Sequence, residues 1–295
     1  MKRIYHSIFI FSYLMISTSI SISAPVFGSV PKSIKKYNLK YKMKKGSSFI
    51  VTSTRKDHYT REIMGNEIVV NQLDFNKYQF TVKTSKRKGL HLEMKYLGKE
   101  HSSEESNTIP ADFTGCQGIP TSLFLSRIGD LSNFTGFDKL PVVEIRDRQV
   151  SMNKDSYINE LMDIFPLLPN RRVGPGESWN HQKHYSEKIG EDSLLVGIDI
   201  TYTLIEESEC EGLPCLIIDS AFTLELIGQV NVEGINLTVQ LEGEGKERIH
   251  FIPKRGLFHS IEGSSTLVGS ADNQEMGLTI PMLHEYTFEI RADLE

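Results

Sequence analysis

The sequence predicts a mainly β protein, with two similar curved antiparallel β-sheets around one core and one short helix near residues 153–165. Three observations predict it. Apolar and polar residues alternate in run after run along the chain. Turn signals containing Gly separate those runs. A pattern of Gly, Ser and aromatic residues occurs twice, in the same order.

The chain opens on Met1-Lys2-Arg3, followed by an apolar run from Ile8 to about Ala24 and then small residues. A basic start, an apolar stretch and a small-residue cleavage site make a secretory signal peptide. Val26 and Gly28 occupy the −3 and −1 places of a cut after Gly28. Residues 1–28 are therefore expected to be a signal peptide and 29–36 an N-terminal arm. Residues 37–295 are expected to be a single β-rich domain made of two pseudo-repeats, about 37–150 and 167–295. The remaining 267 residues (295 less 28) are enough for a sizeable core. No second apolar stretch is long enough to cross a bilayer, so no stable membrane span is expected after cleavage. The expected location is exported, periplasmic or secreted.

A net charge of −5 and a pI near 6.0 do not favour nucleic acid, which calls for a basic face. The Lys-rich stretch of Lys32, Lys35, Lys36, Lys40, Lys42, Lys44 and Lys45 reads as the wet face of a strand plus a soluble arm.

Taken in order, the first strand is expected where Tyr37, Leu39, Tyr41 and Met43 alternate with polar residues. The same period of two runs through Tyr78 to Val82, Leu90 to Tyr96, Ile198 to Leu204, Leu237 to Leu241 and Tyr286 to Ile290. One apolar and one polar face is the usual state of an antiparallel sheet with one side wet. Turns are expected at Lys45-Gly46, Gly65-Asn66, Lys88-Gly89, Gly212, Gly243 to Gly245 and Arg255-Gly256. His101 to Pro110 reads as a polar loop. Between Asn153 and Phe165 the apolar positions Tyr157, Ile158, Leu161, Met162 and Phe165 line one helical face. Asn153 or Asp155 caps its start and Pro166 stops it. This helix is expected to lid a sheet or plug its end.

The repeat rests on three matches. Gly46-Ser47-Ser48-Phe49 corresponds to Gly176-Glu177-Ser178-Trp179, and Lys95 to Gly98 corresponds to Glu225 to Gly228 at the same offset. Phe124, Gly129, Leu131, Phe134 and Gly136 align with Phe251, Gly256, Phe258, Ile261 and Gly263. The last pattern is a hairpin whose first Gly makes the turn, with a bulge to bring its apolar residues onto one face.

At the joint between copies, Phe165-Pro166-Leu167-Leu168-Pro169 leads to Val173-Gly174-Pro175-Gly176-Glu177-Ser178-Trp179. This resembles a family of bacterial exported and lipoprotein-borne β domains of unknown function, with an FPxLP segment before a VxxGDSW-like strand start. The hairpin from Phe124 to Gly136 is similar to that family's as well. The resemblance covers most of residues 37–295. It implies an envelope setting, brings no catalytic residues, and departs in that this chain lacks a lipobox Cys. The plan of a curved sheet under a helix is also similar to lipoprotein-carrier half-barrels, at the level of fold analogy alone.

Of three cysteines, Cys210 and Cys215 flank the turn Glu211-Gly212-Leu213-Pro214. Such neighbours can reach disulfide geometry in an oxidising compartment, and can equally point their Cβ atoms apart; the sequence leaves the bond open. Cys116 is left over and reads as a buried inert thiol. His181 and His184 are three apart on an expected strand, so they face opposite ways and make a poor metal pair. Glu104 and Glu105 fall in the polar loop. No nucleophile elbow, phosphate loop or acid–base pair is found, so the chain reads as a non-enzyme without cofactor or metal. Tyr41, Phe80, Met94, Tyr96, Phe222 and Leu224 are expected inward, lining either a dry core or an apolar cavity. Two functions follow from that fork. One is an exported protein binding a lipid, another apolar ligand or a lipid-modified partner. The other is a structural or protein-interaction module of the cell envelope.

Overall fold

The computed structural model describes residues 35–63, 65–104, 111–145, 150–189, 192–232 and 234–295. The expected signal peptide lies outside the described residues, as does all of the expected arm except Lys35 and Lys36. These two pair with Glu207 and Glu177 at the surface.

Long strands dominate. In chain order they are β1 (Ser48–Ile63), β2 (Asn66–Lys86), β3 (Gly89–Ser103), β4 (Thr121–Ser126), β5 (Leu131–Thr135), β6 (Val143–Ile145) and β7 (Val150–Met152). The helix α1 (Lys154–Met162) follows. Then come β8 (Ser178–Ile189), β9 (Asp192–Cys210), β10 (Leu213–Val232), β11 (Ile235–Ile252), β12 (Leu257–Asn273) and β13 (Leu278–Leu294). Eleven of these strands form one antiparallel sheet in the order β5-β4-β3-β2-β1-β13-β12-β11-β10-β9-β8, while β6 and β7 pair as a small ribbon.

One sheet replaces the two that the repeat led us to expect. Its cause is the β1–β13 ladder, in register from Phe49↔Leu294 to Arg61↔Met282, which fuses an N-terminal meander to a C-terminal one. The matched motifs start β1 and β8 and build the β4–β5 and β11–β12 hairpins, on different parts of this continuous sheet. Both hairpins carry a register shift beside the matched Phe, and Gly129 and Gly256 take left-handed turns with φ of 108° and 68°.

The sheet is strongly curled. Lys99 of β3 and Ser186 of β8 are eight strands apart in the order, which in a flat sheet is about 38 Å. Yet Glu160 of α1 bonds Lys99, while its neighbour Asn159 bonds the Ser186 carbonyl at 3.0 Å. The two margins must therefore come within a helix width of each other, with α1 across the gap. Glycines on the inner face permit the curl. A Cβ at Gly243 would sit 2.1 Å from the Thr266 carbonyl oxygen, and one at Gly269 2.0 Å from that of Gln240. This corrects the turn expected at Gly243 to Gly245, which lie mid-strand in β11. They are there because neighbouring backbone leaves no room for a side chain.

Two further expectations are corrected. Residues 37–43 keep their alternation, with Leu39, Tyr41 and Met43 buried, but join no sheet ladder. They make single contacts instead, Tyr37 with Val173, Tyr41 with Arg127 and Lys42 with Gly256, and so cap one end of the core. His101 to Ser103 belongs to β3 rather than to a loop. Buried His101 meets Asp74 at 2.7 Å there. Residues 105–110 lie outside the described residues.

The first core cluster fills the upper inner face. Phe49, Phe80, Tyr41 and Phe258 converge on Phe165, with centroids 5.6–6.5 Å apart and rings edge to face. Helix α1 takes the position of the expected helix. Asn153 caps it, its side chain accepting from Asp155 and Ser156 in a capping box. Tyr157 and Leu161 are its buried face.

Candidate functional site

Cross-strand partners share a face of a sheet. The register thus lays out the inner face row by row, below the first cluster. One row reads Ser220, Glu247, Gly263, Phe288, Arg55, Asp74 and His101 across β10, β11, β12, β13, β1, β2 and β3. The next reads Phe222, Gly245, Ser265, Tyr286, Asp57 and Gln72. These two rows form a polar belt across a surface that is otherwise apolar.

The belt is held by charge pairing. Asp57 is 3% exposed, and its Oδ1 lies 2.8 Å from the Arg55 guanidinium and 2.7 Å from His284 Nε2. Burial favours the neutral acid, but the bonds from His284 and Arg55 outweigh it and hold the Asp57 carboxyl below its usual range. Its Oδ2 is buried without a hydrogen-bond partner. Arg55 also stacks over the Tyr286 ring at 4.0 Å, and His284 stacks on Tyr59 at 4.0 Å. Glu247 shifts the other way. Burial pushes its carboxyl up, partly opposed by Lys183 and by a bond from Ser220 at 3.1 Å.

Under α1 a second polar group closes the margin. Lys99 donates to Asn76 at 2.8 Å and to Glu160, and Tyr96 donates to Glu160 at 3.2 Å. On the other side Lys183 donates to the Met162 carbonyl and to Asp163 at 3.2 and 3.1 Å. The helix thus works as a clasp between β3 and β8.

Below the belt the inner face turns apolar again. Leu194, Val196, Leu224, Leu241, Leu267 and their neighbours form a second cluster, 1–8% exposed. Every residue of it comes from β8 to β13, and none comes from α1 or the 111–176 connection. Around that floor, Tyr185, Ile198 and Leu226 on one wall and Ile280, Met282 and Tyr286 on the other are half-buried.

Of the six residues expected to line a core or cavity, Tyr41, Phe80, Met94 and Tyr96 are fully buried in the first cluster. Phe222 sits at that cluster's lower margin and Leu224 belongs to the second. Cys210 and Cys215 are joined in a disulfide with Cα atoms 5.7 Å apart. Cys116 is buried, 3.2 Å from Tyr157 Oη, and burial pushes its thiol up. His181 and His184 pair with Ile200 and Gly197 and so face opposite ways, with burial pushing His181 down. Glu104 is exposed and accepts from Asn71 at 2.6 Å; Glu105 lies outside the described residues. A cleft of about 840 Å³ opens near His58, Asn71, Glu104, Glu285 and Thr287. His58 and Asn71 are bonded at 2.7 Å there, and Ser102, Ser103, Ser264 and Ser265 also line the cleft.

The belt is what sequence reading missed. Its signal was present in β1, where Arg55, Asp57 and Tyr59 continue the inward register of Phe49 and Val51.

No family model and no curated protein matches the chain. The resemblance drawn from Phe165 to Trp179 therefore remains a resemblance. Among solved structures, a protein of YmcC-like fold from Bacteroides fragilis is 9% identical, with 87% of this chain and 97% of that one covered and a TM-score of 0.22. An outer membrane channel from Pseudomonas putida is 9% identical, with 85% and 97% covered and a TM-score of 0.18. The channel OccK11 of Pseudomonas aeruginosa is 9% identical, with 87% and 100% covered and a TM-score of 0.18. At such scores these likenesses carry no argument about fold, location or role. Among the described residues, no helix is long and apolar enough to cross a membrane.

Proposed function

We propose that this is an exported, non-enzymatic protein that holds an amphipathic ligand with an acyl-type chain on the lower inner face of its sheet. Export rests on the basic, apolar and small-residue order of residues 1–28. One observation carries the ligand. Among the described residues, the second apolar cluster is one face of a sheet with no helix or second sheet laid over it, whereas a sheet face is ordinarily buried against another layer. Half-buried apolar side chains on both sides flank that floor, a lining that suits an apolar chain. The belt above, with Arg55, Glu247, Ser265 and His284, offers donors and acceptors to a polar headgroup. The filled first core shifts this site from the place first expected. Of the six residues singled out, Leu224 is the one that lies on it.

Native mass spectrometry of the mature protein, followed by titration with a fluorescent fatty acid, tests the reading. A stoichiometric lipid-like adduct, and uptake weakened at least tenfold in Met282→Asp, are expected. A clean mass with no uptake would overturn it and leave the alternative, an envelope interaction module pairing through an edge strand such as β8.

A further inference from the structure

At the end of the sheet that carries the first core, three side chains from distant parts of the chain meet: Glu211, His259 and Asp293. One ligand atom from each lies within 4.8 Å of the others. Glu211 sits in the turn between β9 and β10, inside the short loop closed by the Cys210–Cys215 disulfide. His259 is the extra residue of the β11–β12 bulge, since His250 pairs with Ser260 and Phe251 with Phe258. A bulge re-aims the side chain it carries, here toward the turn. Asp293 comes from the last turn of register in β13, opposite Ile50.

The second observation is at the imidazole itself. His259 Nδ1 is buried and has no hydrogen-bond partner. Glu211 Oε1 is 3.9 Å away, too far for a hydrogen bond. Two ligands of one tetrahedral zinc ion, each about 2.1 Å from the metal, stand roughly 3.4 Å apart. The gap thus fits a shared ion better than a direct bond, and the exposed Asp293 carboxylate stands beside both. Arg255 holds the other Glu211 oxygen, Oε2, at 2.8 Å. It holds the carboxylate in one orientation, with Oε1 left toward the histidine.

We infer that Glu211, His259 and Asp293 form a site for a borderline divalent cation such as Zn²⁺. One imidazole nitrogen and two carboxylates match the donor preferences of zinc, and mixed N/O ligation disfavours Ca²⁺ and Mg²⁺, which take oxygen alone. Three protein ligands leave a fourth position for water or for a side chain of a partner. The disulfide and the bulge bring the donors together before the metal arrives.

Zinc titration by calorimetry on the mature, oxidised protein tests this, with melting followed in parallel. One equivalent is expected to bind and to raise Tm. His259→Gln and Asp293→Asn should each weaken binding at least tenfold while melting like the parent without zinc. His184→Gln, which touches another face, should bind as the parent does. The site is refuted if no equivalent binds, or if binding survives in both His259→Gln and Asp293→Asn. Should His259→Gln fail to fold, Asp293→Asn decides alone, because Asp293 is exposed and makes no packing contact in either core cluster.

Discussion

At the scale of single residues, two carboxylates on the same inner face are driven in opposite directions, and each shift is a statement about stability. Asp57 is held below its ordinary range by His284 and Arg55 against the cost of burial. Its contribution is therefore present above the unfolded value near 4 and is lost as pH falls through the lower folded value. Asp57→Asn should cost about 3 kcal/mol at neutral pH, by removing one partner of a buried pair, and the difference should shrink in urea melts below about pH 4. Glu247 has the reverse sign. Burial raises its folded value, so the folded state holds the proton more tightly and stability falls as pH rises from the unfolded toward the folded value. Glu247→Gln keeps a hydrogen-bonding partner for Ser220 and removes that cost, so it should stabilise the protein by on the order of 1 kcal/mol at pH 8 and by less at pH 4. Alternation showed that Phe80 and Tyr96 point inward. It could not show that Asp57 meets His284, because that bond spans 227 residues of sequence and no local pattern records it.

At the scale of elements, local chemistry was the better guide. The helix was legible because its apolar spacing, its Asn153 cap and Pro166 all lie within one short window. Its work as a clasp was not, since Lys99 and Lys183 reach it from strands remote in sequence. Asn153→Ala removes an acceptor for two amide groups and should cost about 1 kcal/mol. Amide exchange should quicken first in α1 and then at the β3 and β8 margins, while the middle of β11 stays protected. Exchange that quickens in α1 alone would mean the helix does not hold the margins. The disulfide joins residues only five apart in sequence. So short a loop constrains the unfolded chain modestly, and reduction should cost about 2 kcal/mol and lower Tm by a few degrees.

At the scale of the whole molecule, two sheets were expected and one is found, because period-two patterns specify faces and not partners. Which strand meets which is fixed by long-range pairing, and nothing near β1 in sequence announces that β13 lies beside it. The glycines carried the missing information in a form that was misread. Gly243, Gly245, Gly263 and Gly269 sit on the inner face of β11 and β12, and a Cβ at each would lie within 2.7 Å of a neighbouring atom. They mark where the sheet folds tightly over itself, which is what brings β3 and β8 within reach of one helix. Gly269→Val should therefore oppose the curl of the entire sheet, with a loss of at least about 3 kcal/mol. Because the inner face would open, its urea m-value should also change. Gly98→Ala is the control. A Cβ there meets nothing closer than 3.9 Å, so its effect should stay within about 1 kcal/mol of zero. If Gly269→Val were as stable as Gly98→Ala, the tight curl would be disproved, and with it the curled inner face to which an acyl chain is assigned.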